Sequence, residues 1–333
     1  MTGGARLRRP AVTAIRAGLA GLALLAAGCR SQTASPTADF ADAGSPAQLV
    51  DMVAGMLPRV ERLSGLERRD TLRMRWETRD GARKFVEARL DDEMPPDVLD
   101  ATRRAYVALG LIPDTLVLRP LLLDLYTEQV MGYYDPRTTT LYVLRDADLG
   151  ALRPVVIHEL VHALQAQHTS LDSIVAQGRG NDRRTAAHAA LEGHAMLVMF
   201  AVLAEEAARR ELDPAALPNP SSELASGLEA QNELFPVFRR APAVIRETLL
   251  FPYIGGADFV YQLWQSRRGD GRNPAPLDSL LPQSTAQILQ PATHFLQARV
   301  DPVELRFEAS PDGWDVLREE TFGQLETAIF LGE

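Results

Sequence analysis

The chain has 333 residues, of which 46% are hydrophobic and 24% charged, and its net charge at pH 7 is −9. This balance is typical of a globular protein with one large domain or two small ones. Its basic residues, almost all of them arginine, form no patch, which argues against a nucleic-acid partner. Cys29 is the only cysteine, so an intramolecular disulfide is excluded.

Residues 1–28 are predicted to be a signal peptide. Four arginines precede an apolar run that is shorter than the roughly 20 residues a membrane-spanning helix needs. The run ends in Leu25-Ala26-Ala27-Gly28-Cys29, which resembles the lipobox of bacterial lipoproteins, although Ala26 stands where Leu is commoner. The resemblance implies that Cys29 is lipidated and becomes the new N-terminus. The alternatives are an ordinary cleaved signal or an uncleaved anchor.

Lipidation of Cys29 would hold the protein on a membrane of the cell envelope, because several acyl chains give stable anchoring. With Arg30 after the cysteine, a Gram-negative host is expected to send the protein to the outer membrane, facing the periplasm. Residues 29–44 are small and polar, which predicts a flexible tether between the lipid and the folded domain.

The folded domain is expected to span residues 45–333, and its first part, 45–127, is predicted to be mainly helical. Ser45 and Pro46 suit the N-cap and first position of a helix, and apolar residues follow at helical spacing. Alternation of apolar and charged residues predicts a strand at 72–76. Further helices are predicted at 85–90, 98–109 and 118–129.

Residues 128–210 are expected to form the core of a metal site. They begin with a predicted hairpin at 130–143, since two extended runs flank the turn-forming Asp135-Pro136-Arg137-Thr138. The tyrosines of this hairpin could equally be ordinary core residues.

The sequence H-E-x-x-H follows the hairpin as His158, Glu159 and His162. Residues four apart share one face of a helix, so both imidazoles can bind one metal ion while Glu159 acts as general base. By chance alone, this motif would occur in about one of every hundred chains of this composition. Pro154 is expected in the first turn of the helix, and the alternative is a core helix with two incidental histidines.

A catalytic zinc needs a third protein ligand from another element. Glu192 is the best candidate, on a second helix predicted from about Asp182, because a carboxylate in so apolar a helix is costly unless it is paired or bound to a metal. Gly193 beside it allows close approach of another helix. His188 and His194 are the rival ligands on chemistry alone.

The last part, 211–333, is predicted to be largely helical. A proline-rich linker at 212–222 precedes a helix to about residue 238. Two further helices, 242–250 and 255–265, are expected to join at a glycine-bearing break. Residues 282–333 carry no pattern that assigns an element.

Five blocks of the sequence together resemble a family of bacterial and archaeal zinc metallopeptidases, many of them lipoproteins. They are EQVMGYYDPRTTTLYV (128–143), HELVHALQAQH (158–168), AALEGHA (189–195), FPYIGGADFV (251–260) and QSTAQILQP (283–291). The resemblance covers over half the chain and implies a gluzincin-type site with His158, His162 and Glu192 as ligands and Glu159 as base. Relatives tend to have acids where this chain has Ala166 and His194, and His where it has Gln290.

The sequence therefore predicts an α+β, predominantly helical, zincin-like domain that binds one zinc ion and hydrolyses peptide or protein substrates. In the thermolysin-like group an edge strand beside the metal helix binds the substrate backbone, and residues 139–143 are the candidate strand. Tyr133, Tyr134, Tyr253 and His194 are candidates for stabilising the oxyanion. The alternatives are a zinc-stabilised binding or assembly lipoprotein without catalysis, and a hydrolase of non-peptide amides.

Overall fold

A computed structural model describes residues 46–147, 149–171, 174, 180–232, 234–268, 273–292, 303, 316 and 318–332. The predicted signal peptide, Cys29 and the tether lie outside these residues. The described helices are α1 (Pro46–Ser64), α2 (Arg79–Glu93), α3 (Pro96–Ala108), α4 (Leu118–Gln129), α5 (Leu149–His168), α6 (Asn181–Ala208), α7 (Ser221–Asn232), α8 (Pro236–Arg240), α9 (Ala243–Ser266), α10 (Thr285–Leu289) and α11 (Gln324–Leu331). The described strands are β1 (Arg73–Glu77), β2 (Gly132–Asp135) and β3 (Thr140–Leu144). The fold is α+β and predominantly helical, as the sequence predicts.

The three strands form one sheet in the order β1-β3-β2. The hairpin prediction is confirmed, since β2 and β3 pair antiparallel with Tyr134 opposite Leu141. The predicted edge strand at 139–143 is wrong, because β1 pairs in parallel with the other side of β3 and places it at the centre. Local sequence could not show this, since β1 comes from a segment more than sixty residues earlier. The strand at the sheet edge beside α5 is β2.

Helices α5, α6 and α9 pack together at the centre of the main hydrophobic core. The tightest approach is between Gly193 of α6 and Gly256 of α9, where a Cβ on Gly193 would lie 1.9 Å from the Gly256 carbonyl carbon. The expected role of Gly193 in close helix packing is therefore confirmed. This crossing brings α9 against the turn of α6 that carries Glu192.

Helix α9 is continuous, so the predicted break between two helices near residues 251–255 is wrong. Pro252 lies inside the helix, and the pair Gly255 and Gly256 follows it. A Cβ on Gly256 would lie 1.9 Å from the carbonyl oxygen of Ala189 on α6, so the small residue serves packing and not chain reversal. Burial against α6 therefore outweighs the weak helix propensity of this stretch.

The metal-motif helix α5 also begins earlier than the sequence predicts. Pro154 is expected in the first turn, but the helix starts at Leu149, which places the proline in the second turn. A proline there lacks the N–H for one helical hydrogen bond, but the helix continues through it. Six consecutive residues from Val155 to Leu160 are buried, so packing on both sides holds this segment.

The C-terminal segment packs on the start of α6. Buried Asp182 accepts hydrogen bonds from the backbone N–H of Thr285, at 3.0 Å, and from its hydroxyl. The Thr285 hydroxyl oxygen in turn accepts the N–H of Leu325 at 3.1 Å. Ser284 caps α10 by accepting the N–H of Gln287. The block at 283–291 therefore joins α10 and α11 to the N-terminal end of α6.

Helix α6 is long and apolar enough to cross a membrane by length and composition. However, 83% of its most apolar window is buried inside the fold. It contacts α1, α5 and α9 on different sides, as expected of a central core helix.

Candidate metal centre

Three buried side chains from α5 and α6 converge on one point. His158 Nε2 lies 3.1 Å from His162 Nε2 and 3.1 Å from Glu192 Oε2, and His162 Nε2 lies 3.4 Å from the same oxygen. Their side chains are 8%, 6% and 2% exposed, respectively. The three residues could together hold a metal ion.

The local structure explains why these atoms meet. His158 and His162 are four residues apart on α5 and therefore share a face. Helix α6 packs along that face and presents Glu192 from the turn that crosses α9 at Gly193. The structure thus brings the predicted third ligand Glu192 to both histidines, and neither His188 nor His194 takes its place.

Glu159 lies on α5 between the two histidines and is completely buried. Its Oε2 accepts the backbone N–H of Tyr134 in β2 at 2.9 Å. Its Oε1 has no hydrogen-bond partner in the described part of the chain. One carboxylate oxygen is therefore fixed by the sheet edge, and the other is free to accept a proton or a hydrogen bond.

The charges of the cluster are strongly coupled. Burial alone would raise the pKa of Glu192, but His162, His158 and His188 facing it hold that pKa well below its usual value. Burial lowers the pKa of His158, although the facing Glu192 carboxylate opposes this shift. Burial also raises the pKa of Glu159 to about 8, which a nearby cation would counteract.

His188 contacts the carboxylate and not the centre of the cluster. It lies one turn before Glu192 on α6, and its Nε2 is 3.1 Å from Glu192 Oε1. Its side chain is 44% exposed, in contrast to the three buried ligand candidates. Because it binds the other oxygen, His188 orients the Glu192 carboxylate and leaves Oε2 directed at the histidines.

His194 and Gln165 lie behind His162, in the core between α5 and α6. Gln165 Oε1 is 2.9 Å from His162 Nδ1, and Gln165 Nε2 is 3.1 Å from His194 Nδ1. His194 Nε2 lies 3.1 Å from the carbonyl oxygen of Ser64 at the end of α1. Gln165 is not among the site residues predicted from the sequence, although its position three residues after His162 on a buried helix face was a usable signal.

The four candidates for oxyanion stabilisation are separated by the fold. Tyr133 points to the far face of the sheet, where it stacks on Phe85 at 3.9 Å between ring centroids. The Tyr134 ring lines a cavity of about 340 Å³ beyond the C-terminal end of α5. His194 is directed away from the cluster, towards α1.

Tyr253 is the candidate that lies at the cluster. It comes from α9, is 3% exposed, and its ring centroid lies 6.3 Å from that of His158. Burial, followed by the negative charges of Glu192 and Glu159, raises its pKa well above the ordinary value. The phenol therefore keeps its proton and remains a hydrogen-bond donor.

No family model, curated protein or solved structure matches this chain.

Proposed function

We propose that this protein is a zinc-dependent metallopeptidase of the gluzincin type, with one zinc ion per chain. Zinc bound tetrahedrally with bonds of about 2.0–2.1 Å holds its ligand atoms about 3.3 Å apart. The triangle of His158, His162 and Glu192, with sides of 3.1, 3.1 and 3.4 Å, suits that ion. The observation that carries the proposal is this triangle together with the partnerless Oε1 of Glu159 beside it.

Three protein ligands leave one tetrahedral position for the reaction, whereas a purely structural zinc site is closed by a fourth ligand. Among the described residues the cluster has no fourth His, Cys, Asp or Glu ligand. A general base would have no purpose in a structural site, yet Glu159 is buried here at the energetic cost of an unpaired carboxylate oxygen. Both features support catalysis over a zinc-stabilised binding module.

When bound, zinc would supply a Lewis acid that activates water and polarises the scissile carbonyl. Glu159 takes a proton from the attacking water on Oε1 and returns it to the leaving amine, so the proton balance closes. The N–H of Tyr134 keeps the other oxygen in place during both transfers. The Tyr253 hydroxyl donates a hydrogen bond to the oxyanion that forms on the carbonyl oxygen.

The substrate backbone is proposed to lie along the edge of β2. In the described sheet β2 pairs only with β3. The pairing directs the backbone N–H and C=O groups of Gly132 and Tyr134 away from β3, towards the unpaired side of β2. The N–H of Tyr134 already reaches the general base, so a peptide added to this edge would pass beside the metal ligands. The cavity lined by Tyr134 and Ala166 lies next to this edge of β2, and it would accept a part of the bound peptide.

The test of this function is Glu159→Gln, which keeps the size of the side chain and removes its basic oxygen. We expect full zinc content, normal folding and a loss of peptide hydrolysis of at least about 10²–10⁴-fold, as for other positioned acid–base groups. His158→Ala, His162→Ala and Glu192→Ala should each lose the zinc. Zinc content and cleavage of an unbiased peptide pool are measured on residues 45–333.

The opposite outcome would favour a binding module. If Glu159→Gln complements a gene deletion fully in cells while the ligand variants do not, the metal is structural and the peptidase proposal fails. If zinc-dependent hydrolysis appears only with cell-wall material, the enzyme acts on non-peptide amides with the same residues.

We further propose that Cys29 carries lipid and anchors the domain in the cell envelope, through a lipobox-like sequence and a polar tether. Cys29→Ser should release the protein from membranes or block its processing. Metabolic labelling with a fatty acid measures this, and a wild-type protein that takes up no label would contradict it.

A further inference from the structure

Gln165 is completely buried on α5, directly behind the metal-ligand candidate His162. Its Oε1 faces His162 Nδ1 at 2.9 Å. Its Nε2 lies 3.1 Å from both the carbonyl oxygen of Leu191 and Nδ1 of His194. Both polar atoms of this amide therefore have partners.

Two backbone carbonyls decide the direction of every bond in this group, because a carbonyl oxygen can only accept. The carbonyl of Leu191 requires the NH₂ group of Gln165 to face it, which turns Oε1 towards His162. The carbonyl of Ser64 requires His194 to carry its hydrogen on Nε2. Nδ1 of His194 then keeps the lone pair that accepts the second hydrogen of the Gln165 amide.

These hydrogen bonds determine which nitrogen of His162 faces the metal centre. Since Oε1 of Gln165 can only accept, His162 must donate from Nδ1, which leaves Nε2 as the nitrogen that would bind a cation in place of a proton. That same Nε2 lies 3.1 Å from His158 Nε2 and 3.4 Å from Glu192 Oε2.

We propose that Gln165 and His194 are positioning residues that preset His162 as a metal ligand, by fixing both its ring orientation and the nitrogen that carries hydrogen. The proposal rests on the metal centre described above. Partners of the second ring nitrogen set the orientation and basicity of a histidine ligand, and their loss typically costs about 10- to 100-fold in metal affinity.

The group also ties the centre to α1. Ser64 is the last residue of α1, and its carbonyl is one of those that a helix end leaves without an internal partner. His194 satisfies it, so the hydrogen bonds run from the end of α1 through α6 to the ligand on α5. The orientation of His162 therefore depends on three helices and not on its own helix alone.

The experiment measures the zinc dissociation constant of the folded protein by competition with a chelator. Gln165→Met keeps the length of the side chain and removes its hydrogen bonds, and it should weaken zinc binding about 10- to 100-fold. Gln167→Met is the matched control, since Gln167 lies two residues away on α5 and, within the described part of the chain, bonds to the backbone of Arg69 and Asp70. It should bind zinc as the wild type does.

His194→Phe completes a double-mutant cycle. This change keeps a ring in place and should weaken zinc binding by less than Gln165→Met does, because Gln165 retains its bond to Leu191. In a chain that already carries Gln165→Met, the same change should have no further effect, since its influence passes through Gln165. A purely structural role would give equal effects in both backgrounds.

The outcomes separate this inference from the proposed function. Unchanged zinc affinity in Gln165→Met, or equal effects of His194→Phe in both backgrounds, overturns the positioning role while leaving the metal centre intact. A wild-type protein that binds no zinc overturns both. If Gln165→Met does not fold, His194→Phe decides alone: weaker zinc binding supports the role, and unchanged binding rejects it.

Discussion

Each residue of the proposed centre has a separate task that its contacts define. Oε2 of Glu192 faces the two ligand histidines, and His188 orients the carboxylate through Oε1. Glu159 is fixed by Tyr134 on one oxygen and has no partner on the other. Tyr253 belongs to a third helix and faces the cluster without hydrogen-bonding to any of the three ligand candidates.

The role of Tyr253 is tested by Tyr253→Phe. Removal of one oxyanion donor typically costs about 10²–10³-fold in kcat, and we expect a loss of this size with unchanged zinc content. Tyr133→Phe is the control, because its hydroxyl lies near Glu77 on the far face of the sheet. If Tyr253→Phe turns over peptides at the wild-type rate, another group stabilises the oxyanion.

At the scale of elements, the α6–α9 crossing positions the third ligand. Glu192 sits beside Gly193, and the contact of Gly193 with Gly256 leaves no space for a side chain. Any increase in the distance between the two helices would move Glu192 relative to α5. Both the stability and the metal centre therefore depend on two glycines that contribute no chemistry.

Gly193→Ala should separate these helices. Overpacking of a core typically costs about 1–3 kcal/mol in the free energy of unfolding, and we expect at least this loss together with weaker zinc binding. Gly55→Ala on α1 is the matched control, because a Cβ there meets nothing within 4 Å. It should leave zinc binding unchanged and raise stability by about 0.4–1 kcal/mol. Chemical denaturation measures the free energy of unfolding of both variants, and equal stabilities would refute the packing argument.

At the scale of the whole molecule, the buried ionisable cluster couples metal binding to folding. His158, Glu159, His162 and Glu192 are all buried, and such groups are costly in a core unless a cation compensates them. Their ligand atoms come from α5 and α6, which unfolding would separate. A metal ion should therefore stabilise the native state selectively.

Zinc should raise the melting temperature. At about 100 times the dissociation constant, a ligand specific to the native state adds about 2.7 kcal/mol, which corresponds to roughly 4–5 °C for a domain of this size. Differential scanning calorimetry with zinc and with a chelator measures the shift. Glu192→Ala should show none, and a wild-type Tm insensitive to chelation would contradict a tightly bound metal.

The sequence by itself determined much of the local structure and two of the ligand candidates, and it named Glu192 as the best third candidate beside His188 and His194. The spacing of His158 and His162 fixes their common helix face, and the apolar surroundings of Glu192 mark it as a carboxylate that needs a partner. The hairpin at 130–143 and helices α1, α4 and α6 follow from turn residues and periodicity. These features depend on interactions between residues close in the chain, which a sequence pattern records.

Only the tertiary structure decided the rest, because it depends on segments far apart in the chain. The pairing of β1 with β3 moved the sheet edge to β2, and burial against α6 kept α9 continuous through Pro252 and two glycines. The carbonyls of Ser64 and Leu191 set the orientation of Gln165 and His194, and no side-chain pattern reports where a carbonyl points. Tyr253 likewise became distinct from the other tyrosines only when α9 packed beside the metal ligands.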